Sequence, residues 1–273
     1  MVNGYVPVDL HAALDIKAKH DVVPYAGGTD LMVENRTGVS YLFLGKLDEL
    51  RQIKEDENYI RIGAAVTFTE ALASDLVPQL MKEAVSRIAA PAIRNAGTFG
   101  GNIGNGSAKA DSVLIEFVTD AKLRLVSLRG ERLVDIDKFY LGRKKLDLAE
   151  DELIAEVLIP KAGLENYYYE KVGGRNALAI SRVSFAGLLN LDAEGKICRF
   201  SAVFGAVADT VLRFKGLEAT MIGKTLAEAK EHKEDLLKAY SEKLVLTRGR
   251  VSAEYRKTVC LNLLGEFLRS QGI

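Results

Sequence analysis

The apolar positions of the chain change period as they run, and each period predicts an element. Behind Asp9, whose side chain suits an N-cap, Leu10, Ala13, Leu14 and Ala18 fall on one helical face. Val22 to Ala26, Tyr41 to Leu44 and Ile60 to Ala64 are short apolar runs that read as strands. Thr67 and Glu70 have the spacing of a capping box, which opens a helix. After Pro78, Leu80, Ala84, Val85 and Ile88 repeat at helical spacing, and a helix resumes near Asp111. Lys122 to Leu128 alternates, turns at Arg129-Gly130 and leads into Leu133-Val134. Leu153 to Ile159 is a strand that Pro160 stops.

Lys161-Ala162-Gly163 is the predicted boundary between two domains, 1–163 and 164–273, with a subdivision of the first near residue 55. Beyond it Tyr167-Tyr168-Tyr169 begins a strand. Val183 to Leu191 and Ile197 to Val207 read as a hairpin joined through Asp192-Ala193-Glu194-Gly195. Leu226 to Leu244 is a charged amphipathic helical stretch, and Ser252 can cap a last helix carrying Val259, Leu263, Leu264 and Phe267. Strands followed by helices predict an α+β fold for this second part. No internal repeat or low-complexity segment interrupts the pattern.

Composition narrows the function. At roughly 100–200 residues per domain, 273 residues agree with two domains. Lys plus Arg and Asp plus Glu are both 37, so the formal net charge is zero. That balance argues against a nucleic-acid clamp or a polybasic membrane binder. No apolar run approaches the ~18 residues of a membrane span. The stretch to His20 mixes Asp9, His11, Asp15, Lys17 and Lys19 and has no signal-peptide core, so a cytoplasmic location is expected. Cys198 and Cys260 make no disulfide framework and no four-ligand zinc or iron–sulfur site, and His11, His20 and His232 lack metal-ligand spacing.

The glycines carry the chemistry. Gly27-Gly28-Thr29-Asp30 lies between a predicted strand and a short helical segment, where backbone N–H groups can cradle an anion. Thr29 adds a hydroxyl donor, whereas Asp30 suits a cap or a ligand hydroxyl better than a phosphate. A tight strand-to-helix turn would use the same residues. Five of the ten residues from Gly97 to Gly106 are also glycine, an expensive composition for an ordinary loop. Two such loops, each with a threonine, suit a long ligand with two phosphates. Neither is a G-x-G-x-x-G or G-x-x-x-x-G-K-[ST] pattern, so a Rossmann or P-loop site is not predicted.

Ala26-Gly27-Gly28-Thr29-Asp30-Leu31 and Arg94-Asn95-Ala96-Gly97-Thr98-Phe99-Gly100-Gly101-Asn102, continuing to Asp111-Ser112, resemble the FAD-binding medium subunit of the molybdenum hydroxylases, the xanthine dehydrogenase and carbon monoxide dehydrogenase family. Ile60 to Ala64, Asp151-Glu152-Leu153-Ile154, Tyr169 to Val172 with Arg175, Arg213 to Gly223 and Ser252 to Arg256 extend the likeness along nearly the whole chain. The resemblance implies an N-terminal FAD domain of the vanillyl-alcohol-oxidase type followed by a smaller α+β domain. It implies FAD-pyrophosphate contacts at Pro24, Tyr25, Ala26, Gly27, Gly28, Thr29, Asp30 and Leu31, and at Thr98, Gly100, Gly101 and Asn102. An adenosine-side contact falls on Asp111, and further flavin contacts on Ile88, Ile154 and Lys171. Core packing would explain Ile88 and Ile154 equally well, a helix cap Asp111, and a solvated strand charge Lys171.

Ala108 stands where family members often carry proline, and Phe99 where isoleucine is more usual. The cysteine insertion that some relatives carry for an extra cluster is absent. The implied partners are a ferredoxin-like small subunit carrying 2Fe-2S clusters, a molybdopterin-binding large subunit and NAD or another acceptor. No catalytic side chain is expected, because the flavin supplies the redox chemistry. Two alternatives remain. One is a stand-alone FAD-dependent reductase of the same superfamily, like the UDP-N-acetylenolpyruvoylglucosamine reductases. The other is a nucleotide-binding or scaffold subunit without redox chemistry.

Overall fold

The structure, a computed structural model, describes residues 3–34, 37–175, 177–247, 249 and 251–273. In chain order the elements up to the second glycine segment are β1 (Gly4–Tyr5), α1 (Leu10–Lys19), β2 (Val23–Tyr25), α2 (Leu31–Glu34), β3 (Tyr41–Phe43), β4 (Ile53–Glu55), β5 (Tyr59–Gly63), α3 (Phe68–Ala73), α4 (Gln79–Ser86), α5 (Pro91–Arg94) and α6 (Phe99–Gly104). Next come α7 (Asp111–Val118), β6 (Lys122–Ser127), β7 (Gly130–Asp135), α8 (Ile136–Phe139), β8 (Tyr140–Gly142), β9 (Lys145–Leu146) and β10 (Leu153–Pro160). The remainder is β11 (Tyr167–Val172), β12 (Val183–Leu191), β13 (Ile197–Gly205), β14 (Leu212–Arg213), α9 (Lys215–Glu218), α10 (Leu226–Glu231), α11 (Lys233–Lys243) and α12 (Ala253–Ser270).

The chain forms two compact units. The first is Met1–Pro78, Ile88–Ser107 and Asp120–Lys161; the second is Gln79–Arg87, Ala108–Thr119 and Ala162–Ile273. In the first unit a small parallel sheet has the order β1-β3-β2, and a five-stranded antiparallel sheet has the order β4-β5-β10-β6-β7. The expected caps form. Asp9 Oδ1 accepts from Ala12 N–H at 2.7 Å, and Thr67 and Glu70 close a reciprocal capping box. Leu42, Leu44, Leu50, Leu153 and Ala155 bury one apolar cluster of this unit.

In the second unit β11-β12-β13-β14 form an antiparallel sheet. Helices α4 and α7 pack on it, as does α12, which also packs on α11. The hairpin of β12 and β13 explains its own sequence. Val183, Phe185, Leu189, Phe200, Ala202 and Phe204 join Tyr240, Cys260, Leu264 and Phe267 in one core. On the opposite face, a Cβ on Gly205 would fall on Ser184 Oγ and lie 3.1 Å from Leu114 Cδ1 of α7. Both faces are covered, so these strands read as apolar runs rather than as an alternation. This is an α+β architecture.

Two predicted elements differ. Helix α4 ends at Ser86 rather than running on to Ile88. Pro91 favours extended backbone at Ala90 (φ −94, ψ 161), which becomes the N-cap of α5, and Ala89 reverses the chain at φ +41. The stretch 226–244 is two helices, because His232 closes α10 and opens α11.

Candidate functional site

Tyr25 ends β2 with its carbonyl accepting from Leu44 N–H at 2.8 Å, and the chain then turns through Gly27-Gly28-Thr29-Asp30 into α2. Among the described residues, nothing accepts the backbone N–H groups of Gly27, Gly28, Thr29 or Asp30. Gly28 has φ +67, the left-handed backbone found in anion nests, in which successive N–H groups can hold a phosphate. A Cβ on Gly27 would fall on the Ala96 carbonyl, so here glycine lets the two glycine segments pack backbone to backbone.

The second segment is not a loop. Residues Phe99–Gly104 form α6. Glycine disfavours helix by about 1 kcal/mol per position, but tertiary contacts hold this one. Thr98 Oγ1 accepts from Gly101 N–H at 3.1 Å, Gly100 N–H donates to the Ala64 carbonyl at 2.8 Å, and Phe99 and Ile103 are buried. These bonds consume the N–H groups of Gly100 and Gly101. The glycines of α6 therefore differ in purpose. A Cβ on Gly100 would lie 2.6 Å from Ala64 Cβ, a packing constraint. A Cβ on Gly101 would meet only Thr98 Oγ1, at 2.9 Å, and one on Gly104 only Ile154 Cδ1, at 3.9 Å. Gly101 and Gly104 leave one face of the helix bare.

Between the nest and that bare face lies a cavity of about 360 Å³, wholly within the first unit. Pro24, Ala26, Gly27, Gly28, Thr29, Asp30, Leu31, Thr98, Gly100, Gly101, Asn102 and Ile154 all line it. Tyr25 does not: its ring packs on Tyr41 and Phe43 with centroids 5.7 and 5.0 Å away. Ile88 lies outside it too, its carbonyl accepting from Arg94 Nη1 at 2.8 Å. Lining residues that the sequence did not single out include Glu34, Ala64, Ala65, Lys144 and Leu148. Only Ala64 lay in a stretch with a readable signal, the end of the predicted third strand. Asn105 Nδ2 donates to Asp30 Oδ2 and Lys144 Nζ to Glu34 Oε1, each at 2.9 Å. Unused N–H donors on one wall of the cavity, and Gly101 and Gly104 with no side chain to fill the space on the other, fit the diphosphate of FAD that the resemblance implies.

Asp111 and Lys171 come together in the second unit. Lys171 Nζ donates to Asp111 Oδ2 at 2.6 Å and to the Arg87 carbonyl at 2.9 Å, and Ser181 Oγ donates to Asp111 Oδ1 at 2.8 Å. Burial pushes the Asp111 carboxyl up from its ordinary value against the pull of the Lys171 ammonium. Lys171 is therefore not a solvated strand charge. The guanidinium of Arg87 lies 5.5 Å from the centroid of the Tyr169 ring and pairs with Glu170 at 2.8 Å.

Residues 1–162 match the family model described as the FAD binding domain in molybdopterin dehydrogenase, and residues 167–271 match that of the CO dehydrogenase flavoprotein C-terminal domain. The chain is 34% identical over 205 residues to the xanthine dehydrogenase FAD-binding subunit of Escherichia coli O157:H7, spanning 71% of this chain and 70% of that one. It is 31% identical over 239 residues to the nicotinate dehydrogenase FAD-subunit of Eubacterium barkeri, spanning 81% and 80%. The fold is similar to that in a crystal structure of Cu,Mo-CO dehydrogenase in its cyanide-inactivated form, with a TM-score of 0.88 and 25% identity over 97% of this chain and 95% of that one.

Proposed function

Because the chain belongs to the family of FAD-binding domains in molybdopterin dehydrogenases, we propose that it is the FAD-binding electron-transfer subunit of a xanthine dehydrogenase-like molybdenum hydroxylase. In this reading it takes electrons from a ferredoxin-like subunit with 2Fe-2S clusters and passes them through FAD to NAD or another acceptor. A molybdopterin-binding large subunit completes the assembly, and the cytoplasmic location read from the sequence belongs to the same proposal. So does the assignment of 1–163 to the FAD-binding domain and 164–273 to the C-terminal domain.

The observation that carries the reading is one cavity lined both by Gly27 to Asp30, whose N–H groups have no acceptor among the described residues, and by Gly101 and Gly104 of α6. Those donors would hold the diphosphate, which a side chain at Gly101 would keep away. Ile154, across from Gly104, would give the cofactor an apolar wall. Bound FAD would supply the exchange of one or two electrons. The chain's own work is to bind, orient and shield it. Asp111, to which the resemblance gives the adenosine-side contact, is held by Lys171 and Ser181 in the second unit.

No cysteine or histidine lines the cavity among the described residues, so we expect FAD to be held without a covalent bond. Acid or heat should release intact FAD from the purified chain. Flavin that stays attached after denaturation, or recovery of FMN alone, contradicts the reading.

A further inference from the structure

The cavity of the first unit holds little positive charge for an anionic ligand. Among its described lining residues Asp30, Glu34 and Glu152 are acidic and Lys144 alone is basic. Arg132 Nε pairs with Glu152 at 2.7 Å, and Asp30 and Glu34 are the other acidic residues beside Lys144 among the described lining residues. A diphosphate diester brings a negative charge on each phosphate, and the nest of Gly27 to Asp30 offers dipoles but no cation.

Lys144 stands at the turn of the β8–β9 hairpin in a left-handed backbone, φ +53. That conformation is uncommon for a side chain of this size and persists where its surroundings impose it, often at a ligand clamp. The surroundings here are specific. Gly106 is itself left-handed, at φ +64, and a Cβ on it would lie 3.0 Å from Lys144 Cα. The hairpin turn thus packs backbone to backbone on the segment leaving α6, and Lys144 is among the residues that line the cavity. Its ammonium pairs with Glu34 on α2, 2.9 Å away, with side chains 57% and 26% exposed. So exposed a pair contributes little to stability and is cheap to exchange.

We propose that Lys144 is a diphosphate-binding residue that leaves Glu34 for the diphosphate of FAD. The inference rests on the cofactor reading above. In it Glu34 competes with the ligand for the lysine, and the two residues have opposite effects on affinity. If the pair only tied the hairpin to α2, removing either partner would act in the same direction.

The test measures FAD affinity of the full-length apoprotein by flavin fluorescence, with circular dichroism to establish that each variant is folded. Lys144→Met should weaken FAD binding about tenfold, the effect of one lost charge-assisted contact. Lys144→Arg should stay within about threefold of wild type, and Glu34→Gln should tighten binding about threefold, both on the same scale. Lys144→Met with unchanged affinity overturns the proposal, as does parallel weakening by Lys144→Met and Glu34→Gln. A wild-type chain that takes up no FAD overturns the cofactor reading itself, and this inference with it.

Discussion

Glu116 lies in the middle of α7, where every residue from Asp111 to Val118 is buried, and neither of its carboxylate oxygens has a hydrogen-bond partner among the described residues. Burial pushes its pKa from 4.5 to about 8. Below about pH 4.5 the carboxyl is protonated in folded and unfolded chains alike. As pH rises towards 8 the unfolded chain releases a proton that the folded chain keeps, so folding stability falls, and above 8 the loss is complete. Glu116→Gln should remove this slope, of order 1 kcal/mol per pH unit while the two states differ by one proton. The variant should gain on wild type steadily between pH 5 and 8 in denaturant midpoint, and parallel profiles would rule out the buried neutral acid. Asp111 is buried on the same helix, yet Lys171 and Ser181 occupy both of its oxygens. Neither situation was visible in the sequence: Glu116 carried no motif, and the partners of Asp111 lie 60 and 70 residues away.

Helix α6 shows how an element can sort residues of one type into different roles. Gly100 is fixed by Ala64 and Gly101 faces the cavity. Gly101 has helical backbone, so a side chain there is tolerated conformationally, at the expense of its contact with Thr98 Oγ1. Loss of that cap would cost about 1 kcal/mol. Gly101→Val should therefore fold while losing most of its FAD affinity, because the valine fills the space in front of the helix. Gly100→Val should fail to fold, its side chain meeting Ala64. Circular dichroism and FAD titration side by side check both, and a folded Gly101→Val with normal affinity would make the bare face merely structural. Elements whose signal is local were legible: the caps at Asp9, Thr67 and Ser252, and the β12–β13 hairpin around Asp192 to Gly195. The segment around α6 was legible as a special place but not as a helix, since what stabilises it comes from Ala64 and Val66, more than 30 residues away. The β8–β9 hairpin, which brings Lys144 to the cavity, has too short an alternation to be read at all.

At the scale of the molecule, the chain crosses between its two units several times, because α4 and α7 pack with the C-terminal sheet although they lie within the span of the FAD-binding family model. A linear reading places boundaries only where composition changes, so these two helices could not be assigned in advance. The cavity proposed for the FAD diphosphate is built from one unit alone. Among the described residues no group of three or more His, Cys, Asp or Glu side chains is arranged to hold a metal ion. The proposed relay divides its labour by subunit. The isolated chain should bind FAD and, if its acceptor is NAD, should pass electrons between NADH and an artificial dye. It should not oxidise a purine, an aldehyde or a similar substrate alone. Adding the iron–sulfur and molybdopterin subunits should restore substrate-dependent bleaching of the flavin under anaerobic conditions. An isolated chain that turns over an organic substrate at about 1–1,000 per second would favour the stand-alone reductase. An isolated chain that takes up no flavin would favour a scaffold role.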